Sequence, residues 1–167
     1  QYLVVWPQCV AKVNGPFFQE EFDLRAARLA GNGSMLGSPF TLSDWNQDQV
    51  RPRVAYDGDD NQYLVVWESH TFIAADTDIY ARRVGADGSI VGEPIPVAAS
   101  GAQQRLYPDV AYKPGFDEYA VIWEAGFAFN QHAVRKRHIL PDGTYWNGAA
   151  TVAYANGLAG FYLNIAG

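Results

Sequence analysis

Residues 62–67 read QYLVVW, and the same six letters stand at residues 1–6. A third copy, EYAVIW, occupies residues 118–123. These segments do not alternate apolar with polar residues. They are β-branched and aromatic along almost their whole length, which predicts strands buried on both faces. Repetition at this spacing is the signature of a longer structural unit. DLRAARLAGNGSMLGSPFTLS from residue 23 aligns with DIYARRVGADGSIVGEPIPVA from residue 78, an offset of 55. Asp23 meets Asp78, Arg28 meets Arg83, Gly33 meets Gly88 and Pro39 meets Pro94. The same offset carries Asp87-Gly88-Ser89 onto Asp142-Gly143-Thr144, and RPRVAY at 51–56 returns as YPDVAY at 107–112.

One unit therefore reads PxVAY, loop, YLVVWE, loop, DIYARRV, Asp-Gly turn, PIPVA. Its four strands are called a, b, c and d here, and in the second unit they are expected near 52–57, 62–68, 78–85 and 94–99. The Asn-Gly and Asp-Gly pairs supply the positive-φ residues that short hairpins need. No stretch carries a helical period. The units run 1–50 (lacking strand a), 51–105 and 106–160, and FYLNIAG at 161–167 aligns with LYPDVAY at 106–112 as strand a of a further unit.

The expected fold is all-β, a β-propeller segment of about three four-stranded blades. In a propeller each blade lies between two neighbours, so its inner strands are covered on both sides. The d strands alternate better and carry proline, which suits an outer edge. A β-trefoil, also built from three four-stranded repeats, is the alternative. The fully apolar b strands speak against it. A closed ring has about 4–8 blades, so the sequence predicts further blades, from a longer chain or from a second copy.

Composition narrows the function classes. Of 167 residues 49% are hydrophobic and 14% aromatic, which fits a folded core rather than a disordered chain. The net charge of −6 gives no basic face for nucleic acid. No apolar run approaches the ~20 residues of a membrane helix. One cysteine, Cys9, excludes an internal disulfide, and the Cys/His spacings of a zinc site are missing. No cofactor is expected. YDGDDNQY at 56–63 is dense in oxygen ligands, which raises calcium at Asp57, Asp59 and Asp60, but it lacks EF-hand spacing.

The combination P-x-V-A-Y, Y-L-V-V-W-E, D-I-Y-A-R-R-V and D-G-S resembles a repeat of large secreted or surface bacterial proteins thought to be β-propellers. The resemblance covers all three units and is clearest over 51–100. It implies a propeller and an extracellular or cell-surface setting. It implies no reaction. The third unit departs from it with AVRKRHILPDGTYW, and the first at Pro7, where the others have Glu68 and Glu124.

The b–c loops are expected to be long and irregular, at PQCVAKVNGPFFQEE, SHTFIAADT and AGFAFNQ. They carry Phe17, Phe18, His70, Phe72, Phe127 and Phe129, and Trp45 belongs to a d–a loop on the same face. Aromatic rings there fit either caps on the blade ends or a binding surface for sugars or a protein partner. Glu68 and Glu124 follow the b-strand tryptophans at that end. Two carboxylates near a channel suit glycoside hydrolysis, but their repeat-equivalent positions suit a structural role. No catalytic residue is assigned. The expectation is a lectin-like extracellular recognition module for carbohydrate, or for protein. A propeller glycoside hydrolase and a purely structural surface repeat are the alternatives.

Overall fold

The computed structural model describes residues 1–14, 17–70, 76–99, 103–128, 131–146, 148, 150–156 and 165; within its strands, side chains are described except at 12–14, 17–20, 127–128, 131, 151 and 153–156. Among the described residues strands dominate, with one 3-10 turn at Pro114–Phe116. The first blade holds β1 (Tyr2–Asn14), β2 (Phe17–Leu29) and β3 (Phe40–Ser43). The second holds β4 (Asp48–Asp57), β5 (Gln62–His70), β6 (Thr77–Gly85) and β7 (Ile90–Ala98). The third holds β8 (Gln104–Lys113), β9 (Glu118–Ala128), β10 (Gln131–Ile139) and β11 (Ala150–Asn156). Each blade is an antiparallel meander in sequence order. A parallel pair, Thr77 with Gln104, joins the second sheet to the third. Successive strands of each unit lie in one sheet, four in the second and third blades and three described in the first, which is the propeller arrangement, not the trefoil.

The core lies between the sheets. One apolar cluster joins the first blade to the second, with Leu24, Ala26 and Leu42 against Val65, Trp67 and Val84. The other joins the second to the third, with Leu64, Val66 and Ile79 against Tyr119, Val121 and Trp123. Alternate residues of β5 thus enter different cores, which is why its sequence is apolar at every position. Ile122 stays half-buried, because it lies on the far face of the third blade. Gly33, Gly88 and Gly143 have φ of 84°, 87° and 89° in the c–d turns.

The b–c connections differ from expectation in the first and third blades. β1 and β2 pair without interruption from Tyr2↔Leu29 to Asn14↔Phe17. β9 and β10 also pair out to Ala128↔Gln131, with a register shift between Gln131 and His132. These segments are hairpin extensions rather than irregular loops, because pairing satisfies their backbone donors and acceptors.

Candidate functional site: the rim at the b–c end of the blades

Strand a enters each blade through a bulge. The β4–β5 register shifts between Val50 and Arg53, and the β8–β9 register between Leu106 and Asp109. In each bulge the residue before proline is left-handed, Arg51 at φ 51° and Tyr107 at φ 55°. A non-glycine residue in this region costs roughly 1–3 kcal/mol and needs a surrounding hold. Glu68 supplies one. Its carboxylate is fully buried and accepts the Tyr107 backbone N–H at 2.6 Å, across the gap between blades. The other oxygen accepts Arg51 Nη1 at 2.7 Å and lies 2.7 Å from His70 Nε2. The Arg51 guanidinium also sits over the Tyr107 ring, 5.0 Å from its centroid.

Glu124 is the repeat partner of Glu68 and is also buried. His132 Nδ1 lies 2.5 Å from its Oε1. The two acids do not share a cleft. Glu68 has the parity of Leu64 and Val66, whose face meets the third blade. Glu124 has the parity of Ala120 and Ile122, on the far face of that blade. They occupy successive gaps on either side of one sheet.

Nearby, the buried Arg105 guanidinium holds Asp78 at 2.9 Å and Asp76 at 3.6 Å. Burial and the Asp76 charge push the Asp78 carboxyl above its ordinary pKa, against the pull of Arg105.

The other expected residues separate into two sets. Trp45 is half-buried and packs edge-on to Tyr80, with centroids 4.7 Å apart, and against Trp67 at 6.0 Å. It caps the first inter-blade core. His70 stands at the rim on Glu68. Phe17 and Phe18 begin β2 and Phe127 lies near the end of β9, so their backbones stand on the two extended hairpins; their side chains lie outside those described. Phe72 and Phe129 lie outside the described residues altogether.

The arginines of the c strands grip backbone carbonyls of neighbouring blades. Arg83 donates to Pro141 O, Arg28 to Ala86 O and Arg82 to Leu42 O. Glu68 pairs with Arg51 and His70. Arg51, Tyr107 and His132 were not singled out by sequence. The X-Pro step repeated at 51–52 and 107–108 is the signal that marks the bulge.

At the opposite, a–b end, Asp57, Asp59 and Asp117 bring carboxylate oxygens within 4.8 Å of one another, a group that can hold a metal ion. Asp60 contributes its backbone N–H to Asp57 instead, at 3.1 Å. The Asp57 carboxylate also accepts Gln62 Nε2 and Tyr119 Oη, and Tyr112 Oη lies 2.8 Å from Asp59 and 2.9 Å from Asp117. Burial and these carboxylates push both phenols far above the usual tyrosine range.

No helix among the described residues is long and apolar enough to cross a membrane. No family model and no curated protein matches the chain. Among solved structures it is similar to a thermostable family-43 glycoside hydrolase, with 14% identity and a TM-score of 0.45. The match covers 85% of this chain and 53% of the other, so the chain spans about half of that protein's length.

Proposed function

We propose that the chain is an extracellular recognition module of the secreted propeller-repeat kind, binding carbohydrate at the rim where the b–c hairpins stand. The observation that carries this reading is the state of Glu68. Both of its oxygens are engaged, by Arg51, His70 and the Tyr107 N–H. A carboxylate so held keeps a bulge in shape and is poorly placed to shuttle a proton. Glu68 and Glu124 also stand in successive gaps, so these two acids do not face each other as the acid pair of glycoside hydrolysis does. What the rim offers a ligand is donors and planar groups. Arg51 keeps 45% of its side chain exposed and His70 33%, with the Tyr107 ring beneath Arg51. Guanidinium and imidazole donors suit sugar hydroxyls, and rings suit sugar C–H faces.

Binding of the purified chain to an array of bacterial and plant glycans tests the reading, followed by titration of any hit against Arg51→Ala and His70→Ala. Retained glycan, weakened at least tenfold by either change, supports it. Hydrolysis of aryl glycosides that is lost in Glu124→Gln would replace it with the hydrolase. Binding to a protein and to no glycan would replace the ligand class.

A further inference from the structure

The two gaps between the three blades are built on one repeat, and at one place their chemistry differs. In the second gap β6 meets β8 at the pair Thr77 and Gln104. Beside that pair Arg105 Nη1 donates to Asp78 at 2.9 Å and to Gln103 O at 3.3 Å, and lies 3.6 Å from Asp76. In the first gap the equivalent meeting is β2 with β4, where the Phe22 N–H donates to Asp48 Oδ1 at 3.0 Å. Glu21 and Asp23 flank Phe22 as Asp76 and Asp78 flank Thr77, at the same offset of 55. Gln49 stands where Arg105 stands. Gln49 pairs with Ser69 and Arg105 with Ala125, each two residues past the b-strand tryptophan. Gln49 Nε2 also donates at 3.5 Å to Gln47 O, the carbonyl equivalent to the one that Arg105 uses. The acids are thus kept in the first gap, and the arginine is not.

Glu21 is 1% exposed, Asp23 9% and Gln49 0%, while Phe22, between the two acids, is 37% exposed. Alternation along β2 therefore turns both acids inward, as it turns Asp76 and Asp78 toward Arg105 in the second gap. Gln49 is bonded at one end. Its Nε2 donates to Trp45 O at 3.3 Å and to Gln47 O, whereas its Oε1 is buried with no hydrogen-bond partner among the described residues. A buried acceptor left in this way is costly unless a bound group meets it.

We infer that the first gap binds a divalent cation of the calcium class, held by the carboxylates of Glu21 and Asp23 and by Gln49 Oε1, in the place that the Arg105 guanidinium takes in the second gap. The donors are all oxygen, two charged and one neutral, the set that suits calcium and that softer metals favour less. Glutamine is shorter than arginine and neutral, so it leaves room for a positive ion and offers that ion an oxygen. The burial of all three side chains suits a bare ion rather than an organic ammonium group. The site is separate from the Asp57, Asp59 and Asp117 group at the a–b end, and from Glu68, which closes the second gap.

Terbium luminescence reads the site, because Trp45, whose carbonyl bonds Gln49, stands close enough to sensitise an ion there. The chain is stripped with a chelator and titrated with terbium under indole excitation, and the terbium is then displaced with calcium. Saturable emission, displaced by calcium below about 1 mM, is expected. Gln49→Arg is the decisive variant. It rebuilds in the first gap the contact that the second already holds, so circular dichroism should be unchanged and the emission should fall at least tenfold. Asp23→Asn should weaken calcium at least tenfold. Asp117→Asn, in the other acidic group, should retain the emission. No sensitised emission from the unaltered chain, emission that survives Gln49→Arg in a folded chain, or emission lost in Asp117→Asn alone overturns the proposal. Should Gln49→Arg not fold, calcium affinity in Asp23→Asn equal to that of the unaltered chain overturns it as well.

Discussion

Arg83 Nη1 donates to the carbonyl of Pro141 at 2.8 Å, across the gap between the second and third blades. Arg28 makes the equivalent bond to Ala86 at 3.2 Å. The turn that receives each arginine also needs its glycine. A Cβ on Gly143 would lie 3.1 Å from Arg83 Nε and 3.2 Å from Ile95 Cδ1, at a φ that L residues rarely adopt. Arg83→Ala should lower stability in urea by about 1–3 kcal/mol, the range for hydrogen bonds from a charged donor. Gly143→Ala should cost a similar amount through strain. In the double variant the costs should sum to less than the two singles, because removing the guanidinium relieves the crowding. Strict additivity would show that the two residues do not touch in solution.

Trp67 is fully buried, between Trp45 and Tyr80 on the side of the first blade. Trp67→Ala should cost roughly 3–5 kcal/mol, as for large aromatic truncations in cores. Equilibrium urea unfolding followed by far-ultraviolet circular dichroism measures it. A cost below about 1 kcal/mol would place Trp67 at a surface and sink the strand register.

Glu68→Gln keeps the shape and one good acceptor for Tyr107 N–H, but loses the charge that Arg51 and His70 share. Arg51 is half exposed, so solvent screens much of that ion pair. The expected loss is about 1–3 kcal/mol, with faster amide exchange at Tyr107. Unchanged exchange there would remove Glu68 from the role of holding the bulge.

The c–d turns of the second and third blades titrate, and that of the first does not. Asp142 Oδ1 accepts the Thr144 N–H at 2.8 Å and its hydroxyl at 2.7 Å, and Asp87 does the same for Ser89. These hydrogen bonds hold both carboxyls below the unfolded value of 3.8. Each carboxylate therefore stabilises the fold above that pH, and the contribution fades as pH falls through the lower folded pKa. Asn32 fills the same place in the first blade with a neutral amide. Asp142→Asn should flatten the acid limb of thermal stability below about pH 4 and leave the profile near neutrality unchanged in shape. An acid limb as steep as that of the unaltered protein would assign it elsewhere.

The sequence by itself determined the repeat and its strands. The b segments are apolar at every position, and only a sheet packed on both sides can bury such a pattern; the Asp-Gly and Asn-Gly pairs fixed the c–d hairpins because only a few residues accept positive φ. Tertiary structure alone decided the rest. PQCVAKVN and FFQEE read as a loop because Pro7, Gln8 and Lys12 break the all-apolar pattern of the b segment, yet they pair as strands in register with the inner part of the hairpin. Trp45 reads as a ligand-binding ring in a loop, and packing turns it onto Trp67. Glu68 and Glu124 look like a pair in the sequence. Whether two such acids face each other depends on which sheet face each side chain takes and which blade stands opposite, and here one intervening sheet puts them in different gaps. Arg51 and Tyr107 gained their place at the rim from two strained bulges in neighbouring blades, which the Glu68 carboxylate ties together.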